Sequence, residues 1–239
     1  MIPLFTISAL LIDALSFTQR ADAFCGDGVK EEDEECDDGN SIGFDTCNNF
    51  CVQGLDIQMI SIPAGNFLMG SDRFEKDEQP EHLVKLKDNF LFSKTEVTHR
   101  QYRACVEAGD CSLPATATGC VWGTENTGDH PINCVNWRQA QEFANFVGLR
   151  LPTEAEWEYV ASSADQRVYP WGDDEPSCDY LVSLDCAQTT QPVCLSDDVP
   201  RPLQLENQAF EICDLAGNVA EWIEDNYAPN YNDASVTGA

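Results

Sequence analysis

Apolar and polar positions alternate along two stretches near the start of the long segment that opens at Ile57. "DIQMISIPAGNFLMGSD" reads as a strand, an Ala-Gly-Asn turn and a second strand. In "HLVKLKDNFLFS", Leu83, Lys85 and Lys87 stand against Val84 and Leu86, the two-residue period of a half-buried strand. The period then lengthens to that of helices. Thr98 with Gln101 forms a capping box ahead of a helix whose Tyr102, Cys105 and Val106 face inward. Asn136 with Gln139 opens a second helix, with Trp137, Ala140, Phe143, Ala144 and Val147 as its apolar stripe and Gly148 as its stop. A third begins in "LRLPTEAEWEYVASS", where Thr153 and Glu156 again make a capping box. Glu154, Glu156 and Glu158 sit where the helix dipole favours anions, and Trp157, Val160 and Ala161 line one face. Beyond it the chain turns loop-rich, through "YPWGDDEPSC" to "ICDLAGNVAEWIEDNY". Strands, capped helices and long loops predict an α+β fold.

Charge and cysteine change this picture. The 239 residues carry 42 acids against 13 bases, a net charge of −29. Such a surface repels phosphate backbones and contains no basic cluster, which excludes a nucleic-acid partner. Clustered carboxylates suit calcium or another hard cation. Twelve cysteines are spread along the chain, and the three histidines, His82, His99 and His130, lack metal-pair spacing. The expectation is therefore disulfides in an oxidising compartment, not a zinc framework. From Cys105 onward eight cysteines fall in or beside loops; Cys105 with Cys111 and Cys186 with Cys194 are the first pairings to expect.

The first residues point to export. "PLFTISALLI", residues 3–12, is a short apolar run, and "ADA" at 21–23 resembles a cleavage site, although no Lys or Arg precedes the run and Asp13 interrupts it. Residues 1–23 are expected to be a signal peptide, and the mature protein periplasmic, surface-bound or extracellular. The run is too short to span a bilayer. Residues 25–53 follow as a small unit, too short to bury a core without cross-links or metal. Its Asp37, Asp38, Asn40 and Asp45 offer oxygen ligands for calcium, or act as turn residues without a metal. The spacing C-G-D-G, E-x-C-D-D-G-N, D-x-C-x-x-x-C resembles a cysteine-rich repeat common in surface proteins of myxobacteria and their relatives.

Taken in order, "IPAGNFLMGS", "KTEVTHRQY", "HPINCVNWRQAQEFANFVGLRLPTEAEWEYVA", "YPWGD" and "DLAGNVAEW" resemble the formylglycine-generating enzyme, or sulfatase-modifying factor, family. The resemblance implies an irregular, loop-rich α+β domain over residues 57–239, related to C-type lectin folds. It implies calcium held by the carboxylates of Asp214 and Glu221 and the carbonyls of Gly217 and Val219, with Ala220 where the family usually has tryptophan. A turn at Asp214 with Glu221 solvated is the metal-free alternative. Family members oxidise a sulfatase cysteine with copper held by two thiolates, and soft thiolates select Cu(I). Those thiolates form a C-x-x-x-x-C pair, which occurs nowhere in these 239 residues. Copper is thus expected only with a catalytic segment that this sequence lacks. Sulfoxide synthases that pair such a domain with an H-x-x-x-H-x-E helical region are a poorer match, since that pattern is missing too. The expected function is a non-catalytic binding or scaffold module for a protein, peptide or surface ligand; the alternative is an oxidase of sulfatase cysteine.

Overall fold

The computed structural model describes residues 5–6, 55–165, 167–183, 185–195, 203–205 and 208–232. Sheet is sparse and comes in pairs of strands. β1 (Phe5–Thr6) runs parallel to β8 (Ala220–Glu221). β2 (Met59–Ile62) pairs antiparallel with β5 (Phe90–Ser93), and β3 (Gly65–Met69) with β4 (His82–Leu86). β6 (Leu203–Leu205) and β7 (Gln208–Phe210) form a further hairpin. The helices are α1 (His99–Ala108), α2 (Trp137–Phe146) and α3 (Glu154–Ala161).

All three capping boxes are present: Thr98, Asn136 and Thr153 each accept from the N3 backbone, and Gln101, Gln139 and Glu156 return the bond. Each box satisfies two amides that helix geometry leaves without partners. The strand pattern needs correction in two respects, the first being that "HLVKLKDNFLFS" holds two strands, β4 and β5, in different sheets. Second, Gly65 and Asn66 belong to β3 itself, so the link from β2 is Pro63-Ala64, and the two strands pair with different partners. The alternation in β4 holds, with Val84 and Leu86 buried while Leu83 and Lys85 face outward.

Two apolar clusters form the core. One packs Tyr102, Cys105, Phe143 and Ala144 of α1 and α2 against Ile132, Val135 and Leu149. The other packs Ile62, Phe67, Val84 and Phe92 against Tyr159 and Val160 of α3 and against Ile212 and Leu215. Trp137 departs from its expected stripe, while Trp157 packs partly buried against the second cluster. Trp137 lies on the surface and donates its indole N–H to the Ile223 carbonyl at 2.8 Å. Tyr159 takes the buried place on α3, edge-on to Phe67.

Disulfides join Cys105–Cys111, Cys120–Cys134, Cys178–Cys186 and Cys194–Cys213, leaving no free thiol among the described residues. The first of these matches expectation. A Cys186–Cys194 bridge does not form, because the Cys194 amide is drawn to Asp214 Oδ2 at 2.7 Å, which sets its sulfur beside Cys213. Cys186 closes back on Cys178 through a turn in which its N–H donates to the Ser183 carbonyl at 3.0 Å.

Glu156 does more than cap. Its oxygens accept from both terminal nitrogens of Arg150, at 2.7 and 2.9 Å, and from the Thr153 amide at 2.8 Å. Glu156→Ala removes these three bonds while Arg150 keeps Glu224 at 3.6 Å, so it is expected to cost about 1–3 kcal/mol. Exposed Glu107→Ala should stay within about 0.5 kcal/mol. Urea midpoints with disulfides intact check the contrast; equal midpoints would contradict it.

Candidate cation loop

The loop from Asp214 to Glu221 is shaped by backbone that few residues tolerate. Asp214, Gly217 and Asn218 have φ of 57°, 98° and 51°. Asp and Asn accept the left-handed region better than most side chains, and Gly most easily. A Cβ on Gly217 would also press on the Val182 carbonyl and the Leu181 side chain. Asn218 is the hub: its N–H donates to the Val182 carbonyl at 2.7 Å, and its Oδ1 accepts from the Gln191 N–H at 3.0 Å. Its Nδ2 donates to Glu96 Oε2 at 2.8 Å and to the Gln191 carbonyl at 3.2 Å.

Glu96 is the residue that the sequence pattern did not single out. It lies between β5 and the Thr98 cap, is 1% exposed, and its second oxygen, Oε1, has no hydrogen-bond partner. Burial holds its pKa well above the usual carboxylate range; Asp214 and then Glu221 raise it further, against hydrogen bonds from Asn218 and Val219. Burial also raises Asp214, opposed by the Cys194 N–H. One available sign was an acid immediately before Val97 and the capping box, where an apolar contact with the core would be usual.

Of the expected ligands, the structure gathers Asp214, Gly217, Val219 and Glu221 on this one loop, all half-buried. Glu221 Oε2 accepts the Trp157 indole N–H, so it is not merely solvated. Among the described residues no three His, Cys, Asp or Glu side chains stand together as a ready metal shell. Each carboxylate is instead partly turned to a donor: Glu96 to Asn218, Asp214 to Cys194, Glu221 to Trp157. Even so, an orphaned buried carboxylate oxygen and mutual repulsion among acids are features that a hard cation relieves. The residues fit calcium. They do not fit copper, since every described cysteine is bridged. Asp37, Asp38, Asn40 and Asp45 lie outside the described residues.

Residues 44–238 match the family profile described as "Sulfatase-modifying factor enzyme 1-like domain". The chain belongs to this family. Residues 15–52 match a "Domain of unknown function (DUF4215)". The formylglycine-generating enzyme of Thermomonospora curvata is 28% identical, over 73% of this chain and 73% of its own length. A protein named serine/threonine-protein kinase pkn1 from Chlamydia caviae is 29% identical over 77% of this chain, which spans only 30% of that relative's length. The hercynine oxygenase of Mycolicibacterium smegmatis is 26% identical over 49% of this chain. The solved structure of PvdO from Pseudomonas aeruginosa superposes with a TM-score of 0.62 at 26% identity, covering 76% of this chain and 75% of that one. It carries the same loop-rich α+β fold.

The field on Glu96 gives a signed expectation. An acid whose pKa is raised on folding stabilises the protein fully below its unfolded value of 4.5, and that stability is lost as pH climbs toward the folded value. Glu96→Gln removes this loss while keeping an acceptor for Asn218. In chelator at pH 8 the glutamine variant is expected to melt higher than the wild type, by roughly 2–4 °C per kcal/mol regained. Glu96→Ala should melt lower, because it leaves a cavity and takes from the Asn218 amide one of its two acceptors. Calorimetry across pH 5–8 measures both; the reverse order would contradict the assignment.

Proposed function

We propose that this chain is an exported sulfatase-modifying-factor module that binds a protein, peptide or surface ligand without oxidising it, on a scaffold whose 214–221 loop takes calcium. The observation that carries the non-oxidising half is the state of the cysteines. All those described are bridged, and no C-x-x-x-x-C pair occurs in the 239 residues, so they supply no pair of thiolates for Cu(I). The same bridges favour an oxidising compartment and hence export. Cleavage after residue 23 would remove β1, the strand that runs beside β8. Among the described residues no helix is long and apolar enough to cross a membrane.

The second reading is an oxidase of sulfatase cysteine, favoured by the 28% identity to a formylglycine-generating enzyme over nearly three quarters of both chains. It places the thiolates outside these residues. Incubating the 239-residue chain with a cysteine-containing sulfatase-type peptide, copper and oxygen separates the two. The expected mass spectrum keeps the thiol; an aldehyde product would overturn the binding reading.

For calcium, Glu96, Asp214 and Glu221 would supply carboxylate oxygens and Gly217 and Val219 backbone carbonyls, with water completing the 6–8 oxygens calcium takes. Its role here is to neutralise buried charge and stiffen the loop. Binding to the native state alone stabilises by mass action, about 2.7 kcal/mol at a hundredfold excess over Kd. Asp214→Ala and Glu221→Ala should lose most of the calcium-dependent rise in melting temperature, while Glu107→Ala keeps it. A melting temperature indifferent to millimolar calcium in the wild type would defeat the assignment.

A further inference from the structure

A second group of acids, on the other side of α3, closes around Tyr231. Glu158 Oε1 accepts the Gly70 N–H at 2.8 Å at the end of β3. Tyr231 donates its hydroxyl to Glu154 Oε1 at 2.7 Å, one helical turn before Glu158. The Tyr231 N–H donates to the Gln79 carbonyl at 2.7 Å, and its ring leans on His82 of β4 at 4.9 Å between centroids. A Cβ on Gly70 would collide with both the Glu78 carbonyl and the Tyr231 ring. Tyr231 therefore lies as a cover against Gly70, whose N–H meets Glu158.

Three carboxylates face this cover: Glu154 and Glu158 from α3, and Glu78 from the turn that links β3 to β4. No Lys or Arg among the described residues forms an ion pair with any of them. Burial raises Glu158 to a pKa of about 7, and Glu154 and Glu78 add to this against the Gly70 N–H. Burial likewise raises Glu78, with Asp77 and Glu75 adding to it. His82 Nδ1 faces the Pro80 carbonyl at 3.1 Å, and its Nε2 is buried without a partner. The remaining ties of this stretch are few. The Glu154 N–H donates to Asp225 Oδ2 at 2.7 Å, and the exposed Tyr227 hydroxyl reaches Asp77 at 3.3 Å.

We propose that Tyr231 and the carboxylates of Glu78, Glu154 and Glu158 form a proton-operated latch, which fastens residues 225–232 to the β3–α3 edge in mildly acidic surroundings and releases them as the surroundings turn alkaline. The physical sequence is short. Protonated, Glu158 sits buried beside Gly70 at little cost. Ionised, it repels Glu154 and Glu78 and must regain water. β3 and α3 contribute to the core, whereas segment 225–232 touches it through Tyr231 and is otherwise held by few hydrogen bonds, so water enters by displacing the segment. The sign follows from linkage: a raised carboxylate stabilises the closed form below its unfolded value near 4.5, and that contribution is lost as pH rises toward about 7. The latch is independent of whether the domain binds its ligand or oxidises it.

Backbone amide exchange across the full chain tests this, with rates corrected for the intrinsic effect of pH. Protection of residues 225–232 in the wild type is expected to fall about tenfold between pH 6 and pH 8, while α1 stays unchanged. Glu158→Gln, which keeps an acceptor for Gly70, should hold the segment protected throughout. Tyr231→Phe should lower protection at every pH, having lost the bond to Glu154, yet keep the transition. A flat profile in the wild type, a fall shared equally by α1, or an unaltered transition in Glu158→Gln would overturn the latch. Should the glutamine variant not fold, the wild-type comparison of 225–232 with α1 still decides the matter.

Discussion

A carboxylate with 1% exposure and a bare oxygen has to be compensated, and much of this domain is arranged around that one demand at Glu96. Asn218 answers part of it. To bring its amide within 2.8 Å of Glu96, the 214–218 loop adopts three left-handed residues and closes on Val182 and Gln191. That closure places Asp214 and Glu221 in the same field and adds to the problem that Asn218 solves. On the reading proposed above, a cation would offset this negative charge. Stability without one is bounded by how far Glu96 can remain protonated.

The rest of the fold supports that loop with unusually little regular structure. Among the described residues its sheets have two strands each, and two-stranded sheets are marginal alone. Cross-links and side-chain bonds to backbone replace the missing ladders. The Cys194–Cys213 bridge anchors the entry to the loop, and the Trp222 indole N–H, bonded to the Val135 carbonyl at 3.0 Å, anchors the exit. The Glu224 N–H then meets the Pro152 carbonyl at 2.8 Å, tying the exit to the start of α3. Arg150 with Glu156 stiffens that same corner. The acids at the opening of α3 are therefore divided in purpose: Glu156 caps and pairs, while Glu154 and Glu158 hold Tyr231 and Gly70.

What was legible in the sequence was local. Capping boxes are written in residues three apart, and all three helices start where Thr98, Asn136 and Thr153 place them. The family motifs were likewise readable, and with them the loop from Asp214 to Glu221. Strand pairing was less so, because an apolar period marks a strand and not its partner; β2 and β3 are adjacent in sequence but belong to different sheets. Cysteine pairing failed at Cys194 for a similar reason, since its partner was chosen by the Asp214 carboxylate twenty residues away. For Glu96, the acid placed just before Val97 and the capping box was a hint, but "TEVT" does not name its partner, on a loop 122 residues further on.

The proposed calcium site rests on the carboxylates of Glu96, Asp214 and Glu221. A buried carboxylate held protonated must lose its proton when calcium takes its place. Adding calcium to weakly buffered apoprotein near neutral pH, with an indicator dye, reads that exchange directly. The account predicts release of a fraction of one proton per calcium bound, shrinking as the starting pH rises and absent in Glu96→Gln. Calcium binding without proton release at any pH, or an equal release from Glu96→Gln, would contradict it.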